Sequence, residues 1–312
     1  MGGPVSYNFD PELAEAIQVL PAADFTDVHA ARKSLDQLVG AMNLDVDLGG
    51  LIVEDRTISG PEAGVEVPIR VYSPHQNASG CPAVVYIHGG GFAVGSIESE
   101  HAMAAAIARV GVVVVSVDYR LAPEDPFPAG LDDCYQALRW TYDRAGDLGV
   151  DVERVAVFGQ SAGGGLAAAL ALLARDCGGP PLCFQYLGVP ELDDRLETIS
   201  MKTFTDTPLW NRPNAVVSWQ YYLDGQPASA YAAPARATDL SGLPPAYIST
   251  MEFDPLRDEG IMYGLRLLQA GVSVELHQYP GTFHGSSLIN TAAVSKRQTA
   301  ETLDVLRRRL RV

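Results

Sequence analysis

From residue 83 to the end, the sequence predicts an α/β fold, with a mostly parallel sheet covered by helices on both faces. Three observations point there. Short β-branched, apolar runs alternate with helix-favouring segments. One run, Val112-Val113-Val114-Val115, has the composition of a strand buried on both faces of a parallel sheet. Two glycine-rich loops, His88-Gly89-Gly90-Gly91-Phe92 and Gly159-Gln160-Ser161-Ala162-Gly163, each follow such a run directly.

The elements are read in order as follows. Residues 1–45 form an N-terminal helical arm: Pro11-Glu12-Leu13 starts one helix with proline and acid in its first turn, and 30–42 reads as a second. Residues 51–57 and 65–72 bracket the turn at Ser59-Gly60-Pro61 as an antiparallel hairpin. The alternating part then begins with strand 83–87, a helix near 98–108 and strand 112–117. A helix at 131–145, the strand 154–158 and a helix at 164–175 follow, the last ended by Gly178-Gly179-Pro180. Strands at 184–189, 246–250 and 272–278 and helices near 258–270 and 295–310 complete the count.

Residues 190–240 break the alternation. They hold Trp210, Trp219, Tyr221 and Tyr222 among acidic, proline and glycine residues. A long insertion between core strands builds a lid; a surface excursion whose aromatics pack only one another is the alternative. The expected organisation is therefore an arm (1–45), a first core part (46–189), the insertion (190–240) and a second core part (241–312).

Composition narrows the function. The 312 residues are 47% hydrophobic and 19% charged, which describes a well-cored globular chain. A formal net charge of −16 argues against nucleic acid and anionic membrane surfaces as partners. Residues 1–20 lack a basic start and carry Asp10, Glu12 and Glu15, so no secretory signal is read there. The apolar runs at 110–115 and 166–174 are too short to span a membrane. Cys81, Cys134, Cys177 and Cys183 show no paired spacing and read as reduced, mostly buried thiols of a cytoplasmic protein. Asn77-Ala78-Ser79 matches a glycosylation acceptor, taken as chance without export.

Strand, Gly-x-Ser-x-Gly, helix is the arrangement of a nucleophile elbow, in which a tight turn lifts the Ser161 hydroxyl above the sheet. A hydroxyl also needs a base and a place for an oxyanion. The glycine run after His88 can supply backbone N–H groups for the second. Among six histidines, His29 lies in the arm, His75 in a polar turn, His101 on a helix and His277 in the last strand. His88 is expected to fix its own loop. His284, in Pro280-Gly281-Thr282-Phe283-His284-Gly285, lies just past the last strand, where parallel sheets build their sites. It is the expected base. The carboxylate that orients it is sought among Glu252, Asp254 and Asp258. Asp254 follows the strand 246–250 within a few residues, with Pro255 fixing the turn after it, whereas Asp258 precedes a helical stretch and is expected to be structural.

At this point the chain resembles the hormone-sensitive-lipase-like group of α/β-hydrolases, the bacterial family IV carboxylesterases. The resemblance rests on His88-Gly89-Gly90-Gly91, Asp118-Tyr119-Arg120-Leu121-Ala122-Pro123-Glu124, Gly159-Gln160-Ser161-Ala162-Gly163-Gly164, Leu243-Pro244-Pro245-Ala246 and Asp254-Pro255-Leu256-Arg257-Asp258-Glu259-Gly260. It implies an eight-stranded sheet and a helical cap made from the arm and the insertion. It also implies oxyanion donors at the N–H groups of Gly90, Gly91 and Ala162, and a homodimer paired through strand 272–278. The chain departs from the pattern with Gln160 where Asp is usual before the nucleophile, and with Ser286 where Phe often follows the His-Gly pair.

Phe92, Gln160 and Trp210 are the expected substrate-binding side chains. The expected reaction is hydrolysis of short- to medium-chain acyl esters by Ser161, His284 and Asp254, with no metal or organic cofactor and a small-molecule ester as partner. Amide or lactone hydrolysis would use the same chemistry. A binding protein on the same scaffold, similar to plant hormone receptors that have lost a triad member, is the rival from another class; here all three positions are filled.

Overall fold

The computed structural model describes residues 7–20, 24–42, 46–74 and 79–312. His75 and the Asn77-Ala78 part of the acceptor sequence lie outside the described residues. Eight strands form one sheet: β1 (Leu51–Ser59), β2 (Glu66–Pro74), β3 (Cys81–Ile87), β4 (Val113–Val117), β5 (Val150–Gln160), β6 (Phe184–Gly188), β7 (Ala246–Phe253) and β8 (Val274–Phe283). Their order is β1-β2-β4-β3-β5-β6-β7-β8. The β1–β2 hairpin pairs antiparallel, and β2 meets β4 antiparallel; the pairings from β4 to β8 are parallel. This is the α/β-hydrolase topology.

The helices are α1 (Pro11–Ala16), α2 (Val28–Met42), α3 (His101–Arg109), α4 (Ala129–Asp143), α5 (Ala145–Leu148), α6 (Ala162–Asp176), α7 (Ile199–Thr203), α8 (Arg212–Leu223), α9 (Arg257–Gln269) and α10 (Ala293–Leu310). One sheet face carries Val85, Val115, Val157, Leu187 and Ile248 against Leu138 of α4, Leu166 and Leu170 of α6 and Leu267 of α9. The other packs Val84, Val114 and Tyr247 against Ile107 of α3 and Val305, Leu306 and Leu310 of α10. Burial on both sides is what the unbroken valine run requires.

On that second face an aromatic row crosses four strands. Tyr86, Phe158, Tyr186 and Tyr247 occupy directly paired positions on β3, β5, β6 and β7, and neighbouring rings stack at 4.6, 4.2 and 4.8 Å. Such cross-strand pairs hold register, since a slip of one residue would turn every ring to the wrong face. Register matters here because it sets where each strand ends.

Two element ends differ from expectation with functional effect. Helix α3 starts at His101 because 96–100 form a turn, in which the Ser99 hydroxyl donates to the Ser96 carbonyl at 2.6 Å. Strand β8 continues five residues past 278, through Pro280 and a register shift opposite Met251 and Phe253. Proline is tolerated there because β8 is an edge strand with no ladder partner on its outer side. The extension carries the chain to His284.

The 190–240 insertion leaves the sheet after β6 and returns at β7. It is held to the N-terminal segment by an edge-on contact of Phe25 with Trp210 (5.0 Å between centroids) and by the Tyr221 hydroxyl donating to the Phe25 carbonyl (3.2 Å). Helix α2 is tied to the core by Arg32, which donates to the carbonyls of Ala93 and Ala122 and pairs with Glu124 at 2.7 Å. Among the described residues no helix is long and apolar enough to cross a membrane. Cys81 and Cys134 are buried, Cys183 is half-buried and Cys177 is exposed, so burial of the cysteines is less general than expected.

Candidate active site

Ser161 stands between the end of β5 and the start of α6, with φ +56°. A residue with a Cβ pays for that left-handed conformation, and the surrounding backbone imposes it. Ser161 N–H donates to the Gly188 carbonyl (2.8 Å), and its own carbonyl accepts from Gly165 and Glu191 (3.0 Å each). The flanking glycines allow the turn to close. A Cβ on Gly159 would lie 2.0 Å from the Gly163 carbonyl oxygen, and one on Gly163 would lie 2.2 Å from that of Ile87. No side chain fits in either gap.

Strands β7 and β8 are neighbours, so the residues directly beyond them emerge side by side. Asp254 follows β7 and His284 follows β8. The Ser161 hydroxyl lies 2.9 Å from His284 Nε2, and His284 Nδ1 lies 2.7 Å from Asp254 Oδ2. Asp254 is fully buried, and its second oxygen accepts the Leu256 N–H at 2.8 Å. This leaves the carboxylate with both oxygens engaged and its direction fixed. With Nδ1–H donating to Asp254, Nε2 is left to accept the Ser161 proton.

The loop after β3 passes against the elbow: a Cβ on Gly89 would touch the Gln160 carbonyl oxygen and the Ser161 side chain at 3.0 and 3.4 Å. Among the described residues, no protein acceptor takes the N–H groups of Gly90, Gly91 or Ala162. His88 is buried, stacks on Tyr119 (4.1 Å) and donates through Nδ1 to the Gly89 carbonyl (2.8 Å). Burial holds its pKa down at about 4, so its ring is a neutral prop for this loop. Below it, the Glu100 carboxylate accepts from the Tyr86 hydroxyl (2.8 Å), and burial raises its pKa. Of the other described histidines, His29 is exposed on α2, His101 bonds the Tyr72 hydroxyl and His277 bonds Glu301.

Trp210 lies over this constellation, buried, with its ring centroid 5.7 Å from that of His284. Its Cη2 and the Phe25 ring come within 2.7 and 2.8 Å of where a Cβ on Gly91 would be. Gln160 is half-buried, its side chain lying over Gly188 of β6. The Phe92 ring is buried, stacked on Tyr222 at 3.9 Å and against Trp219 at 5.4 Å, so it joins the core to α8. Residue reading missed Phe25, Ser218, Glu191 and Leu209, whose side chain limits the space at Gly285. Only Glu191 left a signal, an acid in the apolar stretch Val189-Pro190-Glu191-Leu192 directly beyond a strand.

The chain is similar to known proteins of this fold, several of them named esterases. The sequence model of the α/β-hydrolase fold family matches residues 84–288. The carboxylesterase NlhH of Mycobacterium tuberculosis is 44% identical over 292 residues, covering 89% of this chain and 88% of that one. An arylesterase of Saccharolobus solfataricus is 36% identical over 284 residues, 88% and 91% of the two chains. The solved structure of a bacterial heroin esterase superposes with a TM-score of 0.95 at 54% identity, over 98% of this chain and 99% of that one.

Proposed function

The chain belongs to the α/β-hydrolase fold family, in its hormone-sensitive-lipase-like branch, and is a carboxylic ester hydrolase; we propose that it works by two-step acyl transfer on Ser161. One observation carries this reading: the unbroken line from Asp254 through His284 to the Ser161 hydroxyl, with bonds of 2.7 and 2.9 Å.

His284 takes the hydroxyl proton as the oxygen attacks the ester carbonyl. The imidazolium formed is stabilised by the buried Asp254 carboxylate. The negative charge that develops on the carbonyl oxygen is received by the N–H groups of Gly90, Gly91 and Ala162. A single such donor is worth roughly 3–4 kcal/mol of barrier where it has been measured. His284 then protonates the leaving alcohol, and water repeats the sequence on the acyl-enzyme. His88 does not replace His284, since burial lowers its basicity and its Nδ1–H is bonded to its own loop.

The N-terminal segment and the 190–240 insertion together form a cap over Ser161, which favours short- to medium-chain acyl groups. Trp210 and Phe25 are the side chains that support this, because they close over Gly91. A small ester as the partner, a cytoplasmic setting and pairing of two copies through β8 belong to the same proposal. The pairing is supported by the edge position of β8 and the exposed Leu276 on it.

Ser161→Ala tests the reading. The variant is expected to fold normally and to lose ester turnover by several orders of magnitude, because nucleophile and base act as a unit. Covalent labelling of the variant by an organophosphate, at the wild-type rate, would identify another nucleophile and overturn it.

A further inference from the structure

Glu191 is among the buried acids that the mechanism leaves without a task. Glu191 follows β6 by way of Pro190 and is completely buried. Its backbone N–H supports the elbow by donating to the Ser161 carbonyl, as above. Its side chain reaches elsewhere: Oε1 lies 3.1 Å from the Ser218 hydroxyl, which itself lies 3.0 Å from the Gly91 carbonyl oxygen. Ser218 is equally buried and belongs to α8 of the cap. A chain of three groups therefore joins a core carboxyl, a cap hydroxyl and the loop that carries the oxyanion donors.

That loop needs holding. Gly90, Gly91 and Phe92 have successive φ values of +117°, +54° and +58°. Left-handed backbone is tolerated by glycine but costly for Phe92, and such a run persists only where neighbours over-determine it. Stacking on Tyr222 fixes the Phe92 ring. The bond to Ser218 fixes the peptide between Gly91 and Phe92.

Ser218 has one proton to give. If Glu191 is a carboxylate, it competes for that proton and the Gly91 carbonyl loses its donor. If Glu191 is a carboxylic acid, its O–H donates to Ser218, and Ser218 donates onward to Gly91. We propose that Glu191 and Ser218 are positioning residues for the oxyanion hole, with Glu191 in its acid form keeping the Ser218 hydroxyl turned to Gly91. The inference rests on the acyl-transfer reading above and adds the device that keeps its oxyanion loop in register.

The surroundings suit the acid form. Facing Glu191 are the carboxyl groups of Asp254, with its partner His284, and of Glu259 on α9, and the phenols of Tyr119 and Tyr222. Burial first, and the Asp254 charge after it, push the Glu191 carboxyl up to about 8, while the Ser218 bond works the other way. Because Ser218 sits on α8, the hole is complete only while the cap is docked.

The test compares the wild type with Glu191→Gln, Glu191→Leu, Ser218→Ala and the Glu191→Leu/Ser218→Ala double variant, measuring kcat and KM on p-nitrophenyl butyrate across neutral to alkaline pH. Wild-type kcat is expected to fall as Glu191 ionises. Glu191→Leu and Ser218→Ala should each lower kcat about 10- to 100-fold at neutral pH with KM little changed, the scale of losing one buried partner of the oxyanion machinery. The double variant should be no worse than either single one, because both break one chain. A glutamine amide donates to Ser218 as the acid does but does not titrate. Glu191→Gln should thus rescue the kcat lost in Glu191→Leu and abolish the alkaline fall. A wild-type kcat flat across this range, an alkaline fall retained in Glu191→Gln, or wild-type kcat in Ser218→Ala would each overturn the proposal. Ester turnover by the wild type combined with such results sinks this inference alone. Absence of wild-type turnover and of Ser161 labelling sinks the acyl-transfer reading beneath it.

Discussion

Asp254 and Asp258 lie four residues apart and serve opposite sides of one turn: Asp254 holds His284 Nδ1 at 2.7 Å, while Asp258 Oδ2 accepts the Ser200 N–H at 2.8 Å. The Asp258 N–H in turn donates to the Ser200 hydroxyl (3.1 Å), which donates to the Pro255 carbonyl (2.8 Å). Asp258 thus fastens α7 of the cap to the first turn of α9, and only Asp254 reaches the base.

Asp254→Asn is therefore expected to lower kcat by about 10⁴, the cost of the matching change in the template triad, with little loss of stability. Asp258→Asn should instead cost on the order of 1 kcal/mol of stability through one weakened bond, with kcat within a few-fold. Thermal melts and steady-state kinetics of both variants decide it. An inactive Asp258→Asn with an unchanged Tm reverses the assignment.

How far this was legible in the sequence follows from how local each signal is. Ser161, Asp254 and His284 each lie within a few residues of a strand end read from the sequence, so strand patterning plus residue type located them. The parallel strands were readable because burial on both faces leaves runs such as Val112-Val113-Val114-Val115 with no polar interruption. Helix α8 was not readable, because it buries opposite faces at once. Trp219 and Tyr222 turn to Phe92, while Tyr221 turns to the N-terminal segment, so no single apolar stripe remains. The same sandwiching holds Phe92, whose ring stacks on Tyr222 of α8. The pairing of Ser218 with Glu191 was invisible for a different reason. Their contact joins residues 27 positions apart across the cap, and no local pattern encodes it.

Stability should depend on pH at Glu191 with a sign that can be worked out. Its carboxyl is raised from the ordinary 4.5 to about 8 in the fold. A raised acid stabilises fully below its unfolded value, and that contribution declines as pH climbs to the folded one. Glu191→Gln should match the wild type in stability at pH 4 to 5. By pH 9 it should exceed the wild type by several kcal/mol, since each pKa unit is worth about 1.4 kcal/mol. Urea unfolding at the two pH values measures the difference directly, and other titrations cancel between the two proteins. Equal midpoints at pH 9 would show that the carboxyl ionises without penalty.

Pairing through β8 makes a third prediction. The edge strand offers an unpaired ladder, and Leu276 on it and Met262, Leu265 and Leu268 on α9 are exposed apolar side chains. An open edge of this kind is a template for a second copy. Light scattering is expected to report twice the chain mass. Leu276→Lys on that edge should shift the protein toward single chains while leaving ester turnover per chain within about twofold, since an exposed charge on a free edge blocks pairing. A wild-type protein that stays a single chain at micromolar concentration rules the pairing out.

The last prediction concerns acyl length. Trp210 stands 5.7 Å from His284, Phe25 packs edge-on against it, and Leu209 crowds Gly285 beside the base. On the cap reading proposed above, these side chains give a growing acyl group apolar wall for its first few carbons. Over that length each methylene adds roughly 0.8 kcal/mol, about fourfold in kcat/KM. Past it, the chain must protrude into water or displace Trp210, and displacement would also disturb the Gly91 loop beneath. An optimum between acetyl and about octanoyl follows, as does the absence of any rate jump when substrate forms an emulsion. Trp210→Ala should move the optimum to longer chains by opening the wall, at some cost to kcat because the indole also packs over the Gly91 loop. The measurement is kcat/KM over p-nitrophenyl esters from two to sixteen carbons for both proteins. A wild-type optimum at twelve carbons or more, or an optimum that Trp210→Ala leaves where it was, would show that the cap does not set the limit.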